Sequence, residues 1–270
     1  MAEAIASLTV WRRLVGARIR ADWQYRTSFF LFLASQTAIA CMDLAVVAAI
    51  FHQVDSLAGW SGMEVALLFG LSGVAFGLAD LLISQVEEAS RHIKAGTFDL
   101  FLLRPLPTLL HLSASEFALR RLGRILQPLV VLVVALAAAP VQWRLETVVL
   151  VPVTIVSGAV IFGSVWVVTS SISFWTVESQ EVANAFTYGG SLATHYPVDI
   201  LGVWLRRIIT FLVPLAFVAY LPAARLLGRT EPLGLPSVVA WGAPLVALAS
   251  ALVARAVWAL AVRHHRSTGS

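Results

Sequence analysis

Charge is scarce in this chain. Of its 270 residues, 13% are Asp, Glu, Lys or Arg, against about 25% in an average soluble domain, half of what a water-facing surface requires. Lysine is scarcer still. Lys94 stands alone, so the net charge of +4 rests on arginines, and arginines at the ends of apolar runs suit anionic lipid headgroups. No basic stripe carries interleaved exposed aromatics, which excludes nucleic acid as a partner. Cys41 is the single cysteine and lies inside an apolar run. One thiol makes neither an intrachain disulfide nor a thiolate metal site, and it reads as a small apolar filler. His195, His264 and His265 form no metal set, two being adjacent and the third distant. A phosphate-binding G-x-x-x-x-G-K-[ST] loop is missing too, because Lys94 follows Ile93.

What is plentiful is apolar: 59% of the residues are hydrophobic and the mean hydropathy is +0.84. The apolar residues gather into runs near the roughly 20 residues that cross a bilayer as a helix. The chain is therefore expected to be an all-α, polytopic membrane protein. Residues 1–27 are not expected to be a signal peptide, since Arg12, Arg13, Arg18 and Arg20 interrupt any apolar core. Ile5, Leu8, Trp11, Val15, Ile19 and Trp23 recur at the helical period instead. That pattern predicts an amphipathic helix in the membrane interface, with Trp11 and Trp23 at headgroup depth.

Beyond it, residues 28–266 read as one transmembrane domain, with 267–270 as a tail. Spans are expected at about 29–51, 63–86, 122–140, 148–175, 181–201 and 236–262, with a polar loop over 87–121. Lysine and arginine near span ends set orientation. Five lie in the N-terminal segment, six in the loop after the second span and two in the tail, thirteen of the nineteen in all. Both termini and that loop are thus expected to be cytoplasmic, which requires an even number of spans.

Residues 178–234 allow two topologies. Hydropathy favours 208–224 as the fifth span, with Arg206 and Arg207 at its cytoplasmic end, but leaves an oddly apolar loop before it. The other choice makes a short fifth span from about 181 and turns 203–228 into a re-entrant hairpin broken by Pro214 and Pro222. Broken backbone at that depth needs protein or water to satisfy it. This choice places Arg206, Arg207, Arg225 and Arg229 outside, against the charge rule, and the residues alone leave the two even.

The polar loop contains HIKAGTFDLFLLRPLPTLLHLSASEF, and a later stretch reads SQEVANAFTYGGSLATHYPVDILGVWLRRIITFLVPLAFVAYLPAARLLG. The first resembles the cytoplasmic loop of ABC-2 type export permeases, in the branch where G-x-F-D-x-x-L-L-R-P-L recurs. The second is similar to that branch's last third, where Y-P precedes W-L-R, P-x-A-F-V and Y-x-P-A. The resemblance implies six spans with an outer-leaflet hairpin between the fifth and sixth, favouring the second topology. It implies a plasma-membrane permease for a hydrophobic or amphipathic substrate, multidrug-type export being the default. The permease would pair with a second one, more often different than identical, and be driven by separate ABC ATPase subunits. ATP and magnesium would then sit on those ATPases, with no cofactor and no catalysis in this chain.

The loop's chemistry fits a rigid projection that an ATPase can push. Gly96 after Lys94 allows a turn, Asp99 can accept backbone N–H groups at a helix start, and Pro105 and Pro107 stop that helix. Phe98, Phe101 and Leu102 would supply an apolar knob beside Arg104; the bland alternative is a loop packed on the chain's own helix ends. Gly73-x-x-x-Gly77 is a close-packing pattern, for a partner permease or, more commonly, a helix of the same chain. Asp43 and Asp80 lie in apolar spans, where a carboxylate either faces a path and binds a cationic substrate or is tied to a neighbour. Glu178 and Glu181 flank a short turn that would be a second ATPase contact or simply solvated. Two other classes stay open. An intramembrane lipid-modifying enzyme needs polar groups converging at one depth, whereas Asp43, Asp80 and His195 are scattered in sequence. An ion-coupled secondary transporter usually carries an internal repeat with matched broken helices, and none is evident.

Overall fold

A computed structural model describes residues 2–24, 26–103, 106–115, 117–176, 180–229 and 236–265, and among these every regular element is helical. In chain order they are α1 (Ala2–Gln24), α2 (Arg26–Gln53), α3 (Gly62–Leu82), α4 (Ala89–Lys94), α5 (Asp99–Leu102), α6 (Thr108–Ser115), α7 (Gly123–Ala138), α8 (Leu145–Ser171), α9 (Gln180–Thr194), α10 (Val203–Arg207), α11 (Tyr220–Leu227) and α12 (Ala243–His264).

Among the described residues, three helical stretches are long and apolar enough to cross a bilayer: Gly62–Leu82, Leu145–Phe174 and Val238–His264. A fourth is the pair Val203–Leu212 and Leu215–Leu227, bent by 75°, if it counts as one broken span. The helices α7 and α9 have 16 and 15 residues, about 24 and 22 Å at 1.5 Å per residue, less than the roughly 30 Å of a hydrocarbon core. The expected fifth span over 181–201 is therefore too long by seven residues. Its helix stops at Thr194, because Pro197 disfavours helical backbone in the residue before it.

The core lies between α3, α7 and α8, with α12 against α8 on the outside. The glycines of α3 set its closest contact. A methyl on Gly70 would stand 2.7 Å from the Leu132 backbone, and one on Gly73 would stand 2.6 Å from the Pro128 ring. The small-residue stripe thus seats α7 of the same chain. Gly70→Ala and Gly73→Ala are expected to cost about 1–3 kcal/mol each by overpacking. Gly77→Ala should cost as much, since its methyl would meet Cγ1 of the β-branched Ile125 at 2.7 Å and the Arg124 carbonyl oxygen at 3.3 Å. Melting temperatures of the detergent-purified variants check this, and wild-type melting at any of the three would refute the close contact there.

The bundle has two distinct ends. At one, the turn after α2 gathers the hairpin. Trp60 Nε1–H and the Tyr220 hydroxyl both donate to Asp199 Oδ2, at 2.8 and 2.9 Å. Arg229 holds Glu64 with both Nη2 and Nε, the shortest contact being 2.7 Å, and lies 4.7 Å from the Trp60 ring centre. Arg225 pairs with Glu146 at 2.8 Å, and Arg206 donates to the carbonyls of Val198, Asp199 and Leu201. Both ends of residues 206–229 therefore meet beside Trp60, so the segment enters and leaves at the same end of the bundle. Arg206 and Arg207 do not sit at the opposite end, as a span over 208–224 would require.

The hairpin's tip reaches well into the bundle. Val218 packs against Gly158, midway along α8, and Leu215 against Gly190 of α9. The break falls at Val213–Pro214 only. Pro222 breaks nothing, because it lies in the first turn of α11, where backbone N–H groups have no helical acceptor to lose.

At the other end lie α4, α5, α6 and the C-terminal end of α12. The helix α1 docks there: Trp11 Nε1–H donates to Ser113 Oγ at 3.1 Å, and Val15 is buried with Ala114 and Phe117. Trp11 is thus fastened to the protein's own loop. Cys41 is exposed on α2 rather than packed as a filler.

Candidate functional site

The loop over 87–121 is built on its own core. Glu87 opens it, at the end of α3's extension. Burial pushes the Glu87 carboxyl above its ordinary range, opposed by the Trp166 indole N–H that donates to it. Lys94 ends α4 exposed. Gly96 follows with φ of +67°, the left-handed position that a glycine takes without steric cost. The Gly96 N–H returns to Ile93 O at 3.1 Å and the Thr97 N–H to His92 O at 2.9 Å. Those two bonds close the helix in the double-bonded left-handed cap, and reverse the chain into α5.

The reversal aims two rings inward. Phe98 is 1% and Phe101 7% exposed, packed with Val86, Ala89, Leu112 and Val167, and with Ala254 and Trp258 of α12. These aromatics therefore do not form the expected exposed knob. A four-residue helix places positions three apart on one face, and the larger apolar pair took the buried one. The apolar surface left outside belongs to Leu100 (59%), Leu102 (44%) and Leu103 (81%). Of the expected knob residues, Leu102 is the one on that surface. Arg104 and Pro105 lie outside the described residues, as does Glu178; Glu181 is exposed in the first turn of α9.

Asp99 stands at the first position of α5, with Phe98 at the cap. Its Oδ1 meets His265 Nε2 at 3.0 Å, and Trp258 Nε1–H donates to Thr108 Oγ1 at 3.0 Å. The loop is thus clamped to the end of α12 as well as to that of α8.

Asp80 is not available to a substrate cation. Its side chain is 2% exposed, and its two oxygens accept from Arg121 Nη1 at 3.0 Å and Arg124 Nη1 at 2.9 Å. The carboxylate ties α3 to the start of α7. Asp43 lies in α2, its side chain outside the described residues. The His195 ring meets that of Phe69 at 4.6 Å, tilted by 47°, eleven positions along α3 from Asp80, or about 16 Å. The structure does not bring Asp80 and His195 to one depth.

Above Asp80 it does make a cavity of about 280 Å³, walled by α2, α3, α7 and α9 and lined by Arg124, Gln127, Tyr188 and His195. Sequence reasoning passed over Gln127. The available signal was a single amide inside an otherwise apolar run, since polar groups at membrane depth tend to be functional.

A family model described as "ABC-2 family transporter protein" matches residues 37–269. Comparison with curated proteins and with solved structures finds no match.

Proposed function

The chain belongs to the ABC-2 family of transporter proteins, and from that premise we propose that it is the permease subunit of an ABC exporter, paired with a second permease and driven by separate ATPase subunits. The family is a membrane transport component, not itself catalytic, and implies association with ABC ATPases. In this reading α2, α3, α7, α8, α9 and α12 are six spans, and residues 203–228 re-enter the outer leaflet. The short α7 and α9 sit where the bilayer thins or neighbouring helices cover them. Both termini and the 87–121 loop face the cytoplasm of the cell membrane, which agrees with the basic residues gathered there. The partner permease is a different chain, lipid surrounds the outward apolar faces, and ATP and magnesium act on the ATPases.

One observation carries the proposal: an exposed leucine surface mounted on a loop whose aromatic side is locked to the ends of α8 and α12. A loop of that kind transmits a push instead of absorbing it. When ATP closes the ATPase pair, displacement of α5 moves α8 and α12 through Phe98 and Phe101, and the path between permeases opens outward. Binding elements concentrate on loops held by a rigid scaffold, and apolar anchors at the centre of an interface commonly contribute about 2 kcal/mol or more.

Leu102→Asp with Leu103→Asp is therefore expected to lower ATPase co-purification by about thirtyfold, since each 1.4 kcal/mol is a factor of ten, and export with it. The permease should still insert and melt as the wild type, because both side chains are exposed. ATPase recovered per permease is the measurement. Full recovery with full export would remove this loop as the coupling element and leave the turn at Glu178–Glu181 in its place.

A further inference from the structure

Gln127 is 8% exposed, and neither its Oε1 nor its Nε2 has a hydrogen-bond partner. Among the buried side chains described, it is the one amide with both ends unmatched. A buried amide without partners costs free energy, and native proteins rarely keep one without a reason. The amide lines the cavity above Asp80, so a partner can reach it there.

The surroundings limit what that partner can be. Arg124, one turn before Gln127 on the same face of α7, already donates Nη1–H to Asp80, and its guanidinium stands 5.8 Å from the Tyr188 ring centre. No carboxylate appears among the described lining residues, and Arg124, which does line the cavity, shares the Asp80 carboxylate with Arg121. Among the described lining residues the full charge is Arg124, which is already paired with Asp80. Phe69, Phe76 and Tyr188 supply aromatic walls. What is offered is the Gln127 amide, two N–H donors and a carbonyl acceptor, between aromatic walls and beside Ser191 and His195.

We propose that this cavity binds the uncharged polar head of an amphipathic substrate, a group such as an amide or sulfonamide that both donates to and accepts from the Gln127 side chain. The inference rests on the permease reading above and names the substrate class for it. The volume is about nine times a water's share of liquid, taken as about 30 Å³, enough for the amide or sulfonamide group itself, and the apolar remainder of the molecule runs out between helices.

The test uses the full permease, co-expressed with its ATPase and reconstituted in nanodiscs, with N-dodecyl dansylamide as the probe. That molecule is neutral, with one N–H donor and sulfonyl acceptors. Binding is read from dansyl fluorescence against empty discs, and the melting temperature is read on the same samples. Gln127→Leu should weaken probe binding by about tenfold, the order expected for one lost hydrogen-bonded contact, while the melting temperature stays or rises. An unmatched amide replaced by an apolar isostere has no bond to lose. Unchanged binding overturns the proposal, and so does a Leu variant that melts early, since that makes Gln127 a structural tie. Dodecyltrimethylammonium should compete poorly. Displacement of the probe by this cation, abolished in Asp43→Asn, would assign the site to cations instead. ATPase recovery from the same preparation separates failure of this inference from failure of the permease reading.

Discussion

Truncating Phe98 to alanine is expected to cost the folded chain about 3–5 kcal/mol, the range for deleting a buried aromatic ring, and to show itself as early melting and loss of monodisperse protein in detergent. The ring is 1% exposed and meets Phe174 and His265 at 5.1 Å each, with Phe101 at 6.0 Å. Those neighbours come from α5, from the extension of α8 and from the end of α12. No single element can collapse into the space that the ring leaves, and close-packed interiors lose contacts outright at such voids. Leu103→Ala, at an 81% exposed position, should shift stability by no more than about 0.5 kcal/mol. A Phe98→Ala protein that melts like the wild type yet fails to recruit the ATPase would place the ring in the interface after all.

The contrast between Phe98 and Leu103 marks where sequence reasoning stops. That a turn follows Lys94 is legible, because Gly96 is the residue that reaches φ of +67° freely. That α5 is apolar is equally legible. Which side of it faces the bundle is not, since F-D-L-F-L-L puts large apolar residues all round a single turn. The deciding partners, Val167, Ala254 and Trp258, lie far along the chain. The aromatic pair at positions three apart was the one local hint.

The hairpin shows the same limit for charge. Counting arginines assumes that each is solvated, and by that rule Arg206, Arg225 and Arg229 belong with the cytoplasmic set. In the folded chain, backbone carbonyls hold Arg206, Glu146 holds Arg225, and Glu64 holds Arg229. A paired arginine is weak evidence about sidedness, and its partner, here up to 165 residues away, cannot be read from local pattern. Long apolar runs and the glycine stripe of α3 depend on neighbours within one helix, and they were legible for that reason. The 87–121 loop was legible as a polar insert, but its clamps at Asp99–His265 and Thr108–Trp258 were not.

Asp80 joins both themes, and Asp80→Ala should be among the most damaging single substitutions in the chain. Its carboxylate is 2% exposed between Arg121 and Arg124, themselves 24% and 26% exposed. Removing one member of a buried ionic cluster typically costs about 3–5 kcal/mol, because the remaining charges stay buried without compensation. Here two guanidinium groups would be left facing each other where α3 meets the start of α7. Asp80→Asn should cost less, as its amide oxygen can still accept from one arginine. The decisive comparison is Asp80→Leu alone against Asp80→Leu with Arg121→Leu and Arg124→Leu. Well-packed apolar side chains often replace a buried ionic group at little cost, so the triple variant should recover most of the melting temperature that the single variant loses. Export should not recover with it, since Arg124 also lines the cavity beside Gln127. If Asp80→Ala instead melts like the wild type and loses only transport of a cationic compound, the carboxylate faces the substrate and the two arginine contacts do not hold it.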